Sequence, residues 1–222
     1  MSSLEDLVKR IDHTNLKPWA SEDSIIKTIN EARTHKFRGV CIPPTYVATA
    51  KKMLENTGVK VITVVGFPLG YYHTEIKKKE AKIAEENGAD EIDVVMNISA
   101  FKSGKYSDVL DDLKNVVNSV RIPVKVIIET SYLSKDEIIR ACKIVEESGA
   151  FCVKTNTGFG SRGVSPEDIK IIKETVGTRL KIKASGGIRT AEQAIQLIKL
   201  GADILGTSAG VAILKEYKEK YT

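Results

Sequence analysis

Five ionisable residues occupy alternating positions in four short segments that are otherwise mostly apolar: Asp93, Lys125, Glu129, Lys154 and Lys183. Because successive side chains of a β-strand point to opposite faces, placing the apolar residues against helices turns these five toward the other face. They would then converge on one cavity from neighbouring strands. Buried charge is costly unless it is paired or performs a task. A structural salt-bridge network and a catalytic site are therefore the two interpretations.

Lys154 and Lys183 lie in consecutive segments, and their amines have the most distinctive chemistry of the five groups. Adjacent strands lie about 5 Å apart, so one ammonium can lower the pKa of the other lysine. A lysine that loses its proton near neutral pH can attack a carbonyl carbon and form a Schiff base. An inward carboxylate such as Asp93 can supply the accompanying proton transfers. Lys181 shares the parity of Lys183, and we expect it at the base of the strand, in contact with solvent.

Two glycine-rich stretches, 184–189 and 206–210, follow the last two predicted strands. Paired glycines let backbone N–H groups approach an anion closely, and a helix N-terminus adds free donors and its dipole. In barrels with alternating strands and helices, the loops after the seventh and eighth strands often bind phosphate. These stretches predict a phosphate site, while turn geometry is the alternative reading of either stretch alone.

One pattern recurs along the chain, a helical run that ends in glycine and leads into an apolar, β-branched run: 85–97, 146–156 and 199–208. A glycine at the end of a helix readily takes the left-handed conformation, and the apolar run is typical of a buried parallel strand. Weaker copies of the pattern extend it to strands near 10–14, 39–42, 60–66, 90–96, 124–129, 150–154, 181–184 and 203–206.

Strands alternating with helices over residues 1–222, with no linker, predict one domain of the α/β class. The number of strands favours a single (β/α)8 TIM barrel over an open sheet. The segment 4–9 is predicted to form a short extra N-terminal helix that closes the bottom of the barrel. The first strand is the least regular one, because its segment is short and polar.

The composition, 42% hydrophobic and 28% charged, is typical of a soluble globular protein, and no apolar stretch of about 18 residues is present. The first ten residues lack the apolar core of a signal peptide, so the cytoplasm is the expected location. Cys41, Cys142 and Cys152 have no C-x-x-C spacing, which favours reduced thiols and no metal site. The net charge of +5 is mild, and the lysine run 77–79 is expected on a solvated helix face. Neither nucleic acid nor a membrane is an expected partner.

The sequence resembles the deoxyribose-phosphate aldolase family from end to end. The order and spacing of several motifs through all the predicted units carry the resemblance. These motifs are IDHT (11–14), GVCIP (39–43), DEIDVV (90–95), KVIIET (125–130), VKTNTG (153–158), IKASGGIR (182–189) and LGTS (205–208).

The resemblance implies reversible cleavage of 2-deoxyribose 5-phosphate into acetaldehyde and glyceraldehyde 3-phosphate, without metal or organic cofactor. It implies that Lys154 is the Schiff-base lysine, that Lys183 perturbs it, and that Asp93 exchanges protons through water. Asp12 and Thr14 would surround the sugar hydroxyls, and Cys41 would lie near the acetaldehyde end unless it is only a buried strand thiol. The other implied substrate-binding residues are Thr155, Gly158, Gly186, Gly187, Arg189, Gly206, Thr207 and Ser208.

Two positions depart from the family pattern. Asn156 stands where serine is common, and Phe159 stands where some members have a lysine after the glycine. The second change removes a positive charge from the region expected to approach substrate. Arg162, a few residues further on, could restore that charge from a flexible loop.

Two other functions are compatible with the same residues. Another Schiff-base phosphosugar aldolase, of the transaldolase or sugar-bisphosphate type, would use the same lysine chemistry. A phosphosugar-binding barrel without catalysis would keep the glycine loops but not the two lysines and Asp93, all of which are present. Family members often associate, so a homodimer or homotetramer is expected.

Overall fold

Eight parallel strands pair in sequence order, and the first pairs with the last, which closes the barrel. The computed structural model describes residues 3–221. Each strand overlaps a predicted one, so the (β/α)8 prediction is confirmed. The strands are β1 (Ile11–Thr14), β2 (Gly39–Cys41), β3 (Lys60–Val65), β4 (Glu91–Val95), β5 (Val124–Ile127), β6 (Cys152–Lys154), β7 (Lys181–Ser185) and β8 (Ile204–Thr207).

Helices alternate with the strands: α1 (Leu4–Val8), α2 (Glu22–His35), α3 (Val47–Met53), α4 (Thr74–Glu86), α5 (Ile98–Lys102), α6 (Tyr106–Val117), α7 (Lys135–Glu147), α8 (Pro166–Val176), α9 (Ala191–Lys199) and α10 (Gly210–Tyr221). The predicted extra N-terminal helix is α1. Its Leu7 is buried, and the carbonyl of Val8 accepts a hydrogen bond of 3.2 Å from the backbone N–H of Arg38, just before β2. None of the helices in this part of the chain is long and apolar enough to cross a membrane.

The two faces of the strands carry different residue types, as their alternation predicts. Apolar residues such as Ile92 and Val94 pack into the layer between strands and helices. The intervening polar positions are paired between strands, with Asp93 opposite Lys125 on β5 and Lys154 opposite Lys183 on β7. The parity inferred from the sequence is therefore correct for these four residues.

Phe151 and Lys181 lie at the N-terminal ends of their strands. Lys181 is exposed, as expected. The alternation that turns Lys154 inward also predicts that Phe151 packs against helices. That prediction is wrong, because Phe151 precedes β6 and is 40% exposed. The helix layer does not cover this end of the strand.

Lys77 of α4 is fully buried, although the lysine run that contains it was expected to lie on a solvated face. The other buried residues of α4 are Ala81 and Ala84, and such small side chains leave room for the lysine stem. The Lys77 ammonium donates to the carbonyl of Val95 at 3.0 Å and to Asp112 Oδ2 on α6 at 2.7 Å. The prediction is wrong for Lys77 because this side chain joins α4 to the end of β4.

The repeated helix-end glycines have the expected left-handed backbone. Their φ angles are +95° at Gly88, +78° at Gly149 and +116° at Gly201. Side chains with a Cβ atom are disfavoured in this conformation. The glycines therefore let each helix turn directly into the strand that follows.

At Gly149 the free-energy cost of a left-handed backbone can be measured without a steric clash. The nearest atom to an added Cβ would be Val117 Cγ1, at an uncrowded 3.9 Å. We expect Gly149→Ala to lower the free energy of unfolding by about 1 kcal/mol, measured by urea denaturation. Gly149→Asn should cost less, because asparagine tolerates the left-handed region better. Equal stability of the alanine variant and the wild type would contradict this account.

Candidate active site

Lys154 and Lys183 meet at a single carboxylate oxygen inside the barrel. Lys154 Nζ donates to Asp93 Oδ2 at 2.8 Å, and Lys183 Nζ donates to the same oxygen at 2.8 Å. Asp93 and Lys183 are fully buried, whereas Lys154 is 3% exposed. The structure thus brings together the three residues that the sequence nominates for catalysis, with the carboxylate between the two amines.

The surroundings of Asp93 keep it ionised. Burial raises the pKa of this carboxyl, but the ammonium groups of Lys125, Lys154 and Lys183 lower it more, and the pKa lies well below its usual value. Burial lowers the pKa of Lys183, but Asp12 and Asp93 raise it more, so the net shift is upward. Lys183 is therefore a permanent cation next to Lys154 at neutral pH.

Asp12 lies beneath the lysines, not beside a cavity open to substrate. It is fully buried, with Oδ2 2.6 Å from Lys183 Nζ and Oδ1 2.7 Å from Arg38 Nη1. Burial raises its pKa, but Lys183 and Arg38 lower it more, with a net downward shift. In this structure Asp12 holds Lys183, and the sugar-hydroxyl role that the resemblance implies would act through that lysine.

Arg38 and Glu91 belong to the same charged cluster, and the sequence analysis did not single them out. Lys125 Nζ lies 2.8 Å from Asp93 Oδ1 and 2.6 Å from Glu91 Oε2, while Arg38 Nη2 lies 2.6 Å from Glu91 Oε1. Glu91 precedes Asp93 by two residues and so shares its face, a signal that the sequence does contain. Arg38 lies just before β2, so the alternation of side chains along a strand does not predict its direction.

Glu129 does not join the lysine cluster, which corrects the expectation of convergence. β5 ends at Ile127, and Glu129 has a φ of +54°, so the alternation of the strand no longer applies to it. Its carboxylate accepts hydrogen bonds from Asn156 Nδ2 at 2.8 Å and from the Thr157 N–H at 2.9 Å. Glu129 therefore holds the loop after β6.

A cavity of about 530 Å³ opens above Lys154 at the C-terminal ends of the strands. It is the place where most of the predicted substrate-binding residues meet. Those that line it, beside the predicted Schiff-base residue Lys154, are Thr14, Gly158, Gly186, Gly187, Arg189, Gly206, Thr207 and Ser208. Lys17 and Trp19, from the loop after β1, also line it and were not predicted, because nothing in that loop has the spacing of a motif.

Three other predicted substrate-binding residues, Asp12, Cys41 and Thr155, are fully buried and are not among the residues lining this cavity. Thr155 Oγ1 donates to the carbonyl of Ser185 at 3.0 Å and accepts from its N–H at 3.0 Å, which joins the ends of β6 and β7. Cys41 packs with Ile62 and Val64, and burial raises the pKa of its thiol. The buried-thiol reading of Cys41 fits this position.

The two glycine loops are tied to each other. Thr207 Oγ1, in the second loop, donates to the carbonyl of Ile188 in the first at 2.7 Å and accepts from the N–H of Ala209 at 2.9 Å. Gly186 and Gly187 have φ angles of +93° and +77°, and α10 begins at Gly210, the last residue of the second glycine stretch. Ser208, which lines the cavity, lies two residues before this helix. Glycine backbone beside a helix N-terminus is typical of an anion site.

Phe159 and Arg162 do not have the arrangement expected if Arg162 replaced the positive charge that is missing at Phe159. Phe159 lines the cavity and packs edge-on against Phe67, with ring centroids 5.5 Å apart. Arg162 does not line the cavity, because its guanidinium binds Asp168 at 2.6 Å. The expectation that Arg162 restores the missing charge is therefore wrong; Lys17 and Arg189 are the cations that border the cavity together with Lys154.

Glycines 158, 160 and 163 have the G-x-G-x-x-G spacing of a dinucleotide-binding loop, although no organic cofactor is expected. Close packing explains two of them. A Cβ atom would lie 2.1 Å from Ser131 Oγ at Gly160 and 2.6 Å from the carbonyl of Gly186 at Gly163. Among residues 3–221, no group of three or more His, Cys, Asp and Glu side chains is placed to hold a metal ion.

The ionised Glu91 should make the protein acid-sensitive. Burial raises its pKa, but Lys125 and Arg38 lower it more, from 4.5 to about 2. Because the folded-state pKa is depressed, this stabilisation is complete above about pH 4.5 and is lost as pH falls toward 2. We expect the unfolding free energy of Glu91→Gln to fall less steeply than that of the wild type in this window, by up to about 3 kcal/mol. Denaturant unfolding at a series of pH values measures this difference in unfolding free energy. The exposed Glu55→Gln is the control variant. Parallel curves of unfolding free energy against pH for Glu91→Gln and wild type would contradict the stabilising role of ionised Glu91.

Comparison with known proteins identifies the family of this chain. Residues 7–217 match the model of the DeoC/LacD family aldolases. The chain is 50% identical over 221 residues to the deoxyribose-phosphate aldolase of Thermotoga maritima, covering 99% of this chain and 89% of that one. It also resembles the structure of the aldolase QR15, with a TM-score of 0.93, 42% identity and 97% of each chain covered. A tetrameric deoxyribose-phosphate aldolase from Aeropyrum pernix matches with a TM-score of 0.91 and 34% identity over 98% of this chain and 93% of that one. The chain therefore belongs to the DeoC/LacD family of aldolases.

Proposed function

We propose that this aldolase cleaves 2-deoxyribose 5-phosphate reversibly into acetaldehyde and glyceraldehyde 3-phosphate through an imine on Lys154. One observation carries the proposal. Of the three lysines bound to Asp93, Lys154 alone lines the cavity, whose far wall is formed by the two glycine loops. A phosphorylated aldehyde can therefore place its phosphate at the loops and its carbonyl carbon at the Lys154 amine.

The reaction begins when the neutral Lys154 amine attacks C1 of the open-chain sugar. Loss of water from the carbinolamine gives a protonated imine, which withdraws electrons from C2. The C3 hydroxyl then loses its proton, the C2–C3 bond breaks, and glyceraldehyde 3-phosphate leaves. The enamine that remains on Lys154 is protonated at C2, and hydrolysis of the resulting imine releases acetaldehyde. The protonated imine is the electron sink, so the proposal requires no metal or organic cofactor.

Lys183 and Asp93 support this chemistry from below the cavity. The permanent charge of Lys183 opposes a second ammonium on Lys154, and both groups compete for the same Asp93 oxygen. Asp93 is held as an anion and so is a weak base by itself. We propose that it orients a water molecule that carries protons between the reacting carbons and solvent.

The phosphate would be held by backbone donors of the glycine loops, helped by Lys17 and Arg189 at the border of the cavity. We also propose that the protein acts in the cytoplasm as a homo-oligomer, in the breakdown of deoxynucleosides. The three cysteines are unpaired and buried, which suits a reducing compartment. The name of the Aeropyrum pernix relative describes that protein as tetrameric.

The two alternatives have less support. A non-catalytic phosphosugar barrel has no need for a buried carboxylate shared by three lysines. Another Schiff-base aldolase would use the same lysine but release a product other than acetaldehyde. An enzymatic assay for acetaldehyde, with 2-deoxyribose 5-phosphate as substrate, separates these functions.

Reductive trapping tests the role of Lys154. We expect sodium cyanoborohydride and substrate to add mass only to the peptide that contains Lys154. Lys183→Leu removes the neighbouring positive charge, so activity at neutral pH should fall steeply and recover in part as the pH is raised. An adduct on Lys183 would exchange the two roles. Loss of activity in Lys183→Leu with an unchanged pH profile would mean that Lys183 only positions substrate.

A charge placed in the second glycine loop tests the phosphate site. Ser208 is exposed at the cavity wall, so Ser208→Asp should raise KM for 2-deoxyribose 5-phosphate at least tenfold, by like-charge repulsion. The KM for unphosphorylated deoxyribose should change much less. Ser107→Asp makes the same charge change at an exposed position on α6, outside the cavity, and should leave both values unchanged. Equal losses for both substrates would place the phosphate elsewhere.

A further inference from the structure

Six charged side chains form a closed ring inside the barrel, below Lys154: Asp12, Arg38, Glu91, Lys125, Asp93 and Lys183. Each member is ion-paired with the next at 2.6–2.8 Å, and Lys183 returns to Asp12. Acids and bases alternate around the ring. Asp93 is the member of the ring that binds Lys154, through the same oxygen that binds Lys183.

The ring is shielded from solvent. The Arg38 side chain is 13% exposed, and the other five are at most 1% exposed. Charges in such surroundings act on each other over longer distances than charges in water do. The three acids and three bases of the ring sum to zero, so its effect on a nearby group depends on every member remaining charged.

Lys154 is attached to this neutral ring as an additional base. When Lys154 is protonated, the buried cluster of seven side chains has a net charge of +1; when Lys154 is neutral, the cluster is balanced. Buried net charge is unfavourable. A change in the charge of the ring therefore changes the cost of an ammonium on Lys154, and the uncharged amine is the form that attacks a carbonyl.

We propose that Arg38 and Glu91 are positioning residues that set the charge balance of this ring and thereby the pH at which Lys154 becomes nucleophilic. The inference rests on the proposed role of Lys154. Neither residue lines the substrate cavity, and both act through Asp12 and Lys125, which pair with Lys183 and with Asp93, the residue that binds Lys154. Arg38 and Glu91 lie at the end of the barrel interior opposite the substrate cavity. There the ammonium of Lys60, whose side chain is 46% exposed, also pairs with Glu91 at 2.5 Å.

Lys60 adds a positive charge at Glu91, but its half-exposed ammonium is screened by solvent. The other titratable groups in this part of the barrel are neutral or bound elsewhere. Cys41 on β2 and Cys152 on β6 are fully buried, and burial raises the pKa of both thiols, to about 12 for Cys152. They remain neutral at the pH where the enzyme would work. Glu129, beyond the end of β5, is bound to the loop after β6.

Opposite charge changes in one ion pair give the test. The rate at which acetaldehyde and cyanoborohydride label Lys154 is measured against pH, and its midpoint is compared between variants. Glu91→Gln leaves the ring at +1 and should lower the midpoint by on the order of one pH unit. Arg38→Met leaves it at −1 and should raise the midpoint by a similar amount. The double variant restores neutrality and should return the midpoint to that of the wild type, and Arg38→Lys should leave it unchanged.

A purely structural role for the pair predicts a different result, in which both single variants lose activity and their midpoints stay in place or move in the same direction. That outcome overturns the inference. If neither single variant folds, Lys60→Met, at a solvent-facing residue, is used instead. Its labelling midpoint should rise by a few tenths of a pH unit, and an unchanged midpoint overturns the inference. Absence of label on Lys154 in the wild type would instead refute the proposed function itself.

Discussion

The ion pairs between the buried carboxylate of Asp93 and three lysines are the interactions on which the rest of the site depends. The two carboxylate oxygens bind the three lysines, each at 2.8 Å, and the Asp93 side chain itself is fully buried. Removing one partner of such a group leaves an uncompensated buried charge, which is far more costly than the loss of a surface pair. The arrangement therefore requires that the strands carrying these residues hold a fixed register, and a closed parallel barrel supplies it.

The barrel separates two tasks by depth. Charged side chains on the strands meet the Lys154 amine from inside the barrel, whereas the loops at the C-terminal ends of the strands form the cavity in which we propose that substrate binds. Lys154 belongs to both regions, because it lies at the end of β6. This position explains why one lysine of the cluster reaches the cavity and its strand partner, Lys183, does not.

Strand alternation made most of the site predictable from the sequence. It orients Asp93, Lys154 and Lys183 correctly because regular β structure continues through each of them. It fails at Glu129, where the strand has already ended, and at Arg38, which lies before a strand begins. The resemblance located the cavity lining well but could not distinguish residues that touch the cavity from those beneath it, such as Asp12. Lys77 shows the same limit on a helix, since its burial depends on the small size of its neighbours and on Asp112, far away in the sequence.

The hydrogen bond from Thr207 to Ile188 has a consequence for the thermodynamics of binding. It joins the loops after β7 and β8 into one unit before any ligand arrives. A flexible phosphate cradle would lose conformational entropy each time it closed on an anion, and that loss would weaken the complex. Here the entropy is lost once, when the chain folds. At the proposed phosphate site, more of the binding energy of the phosphate group would then remain to immobilise the reactive end of the sugar, so a group remote from the bond that breaks would contribute to the rate as well as to binding.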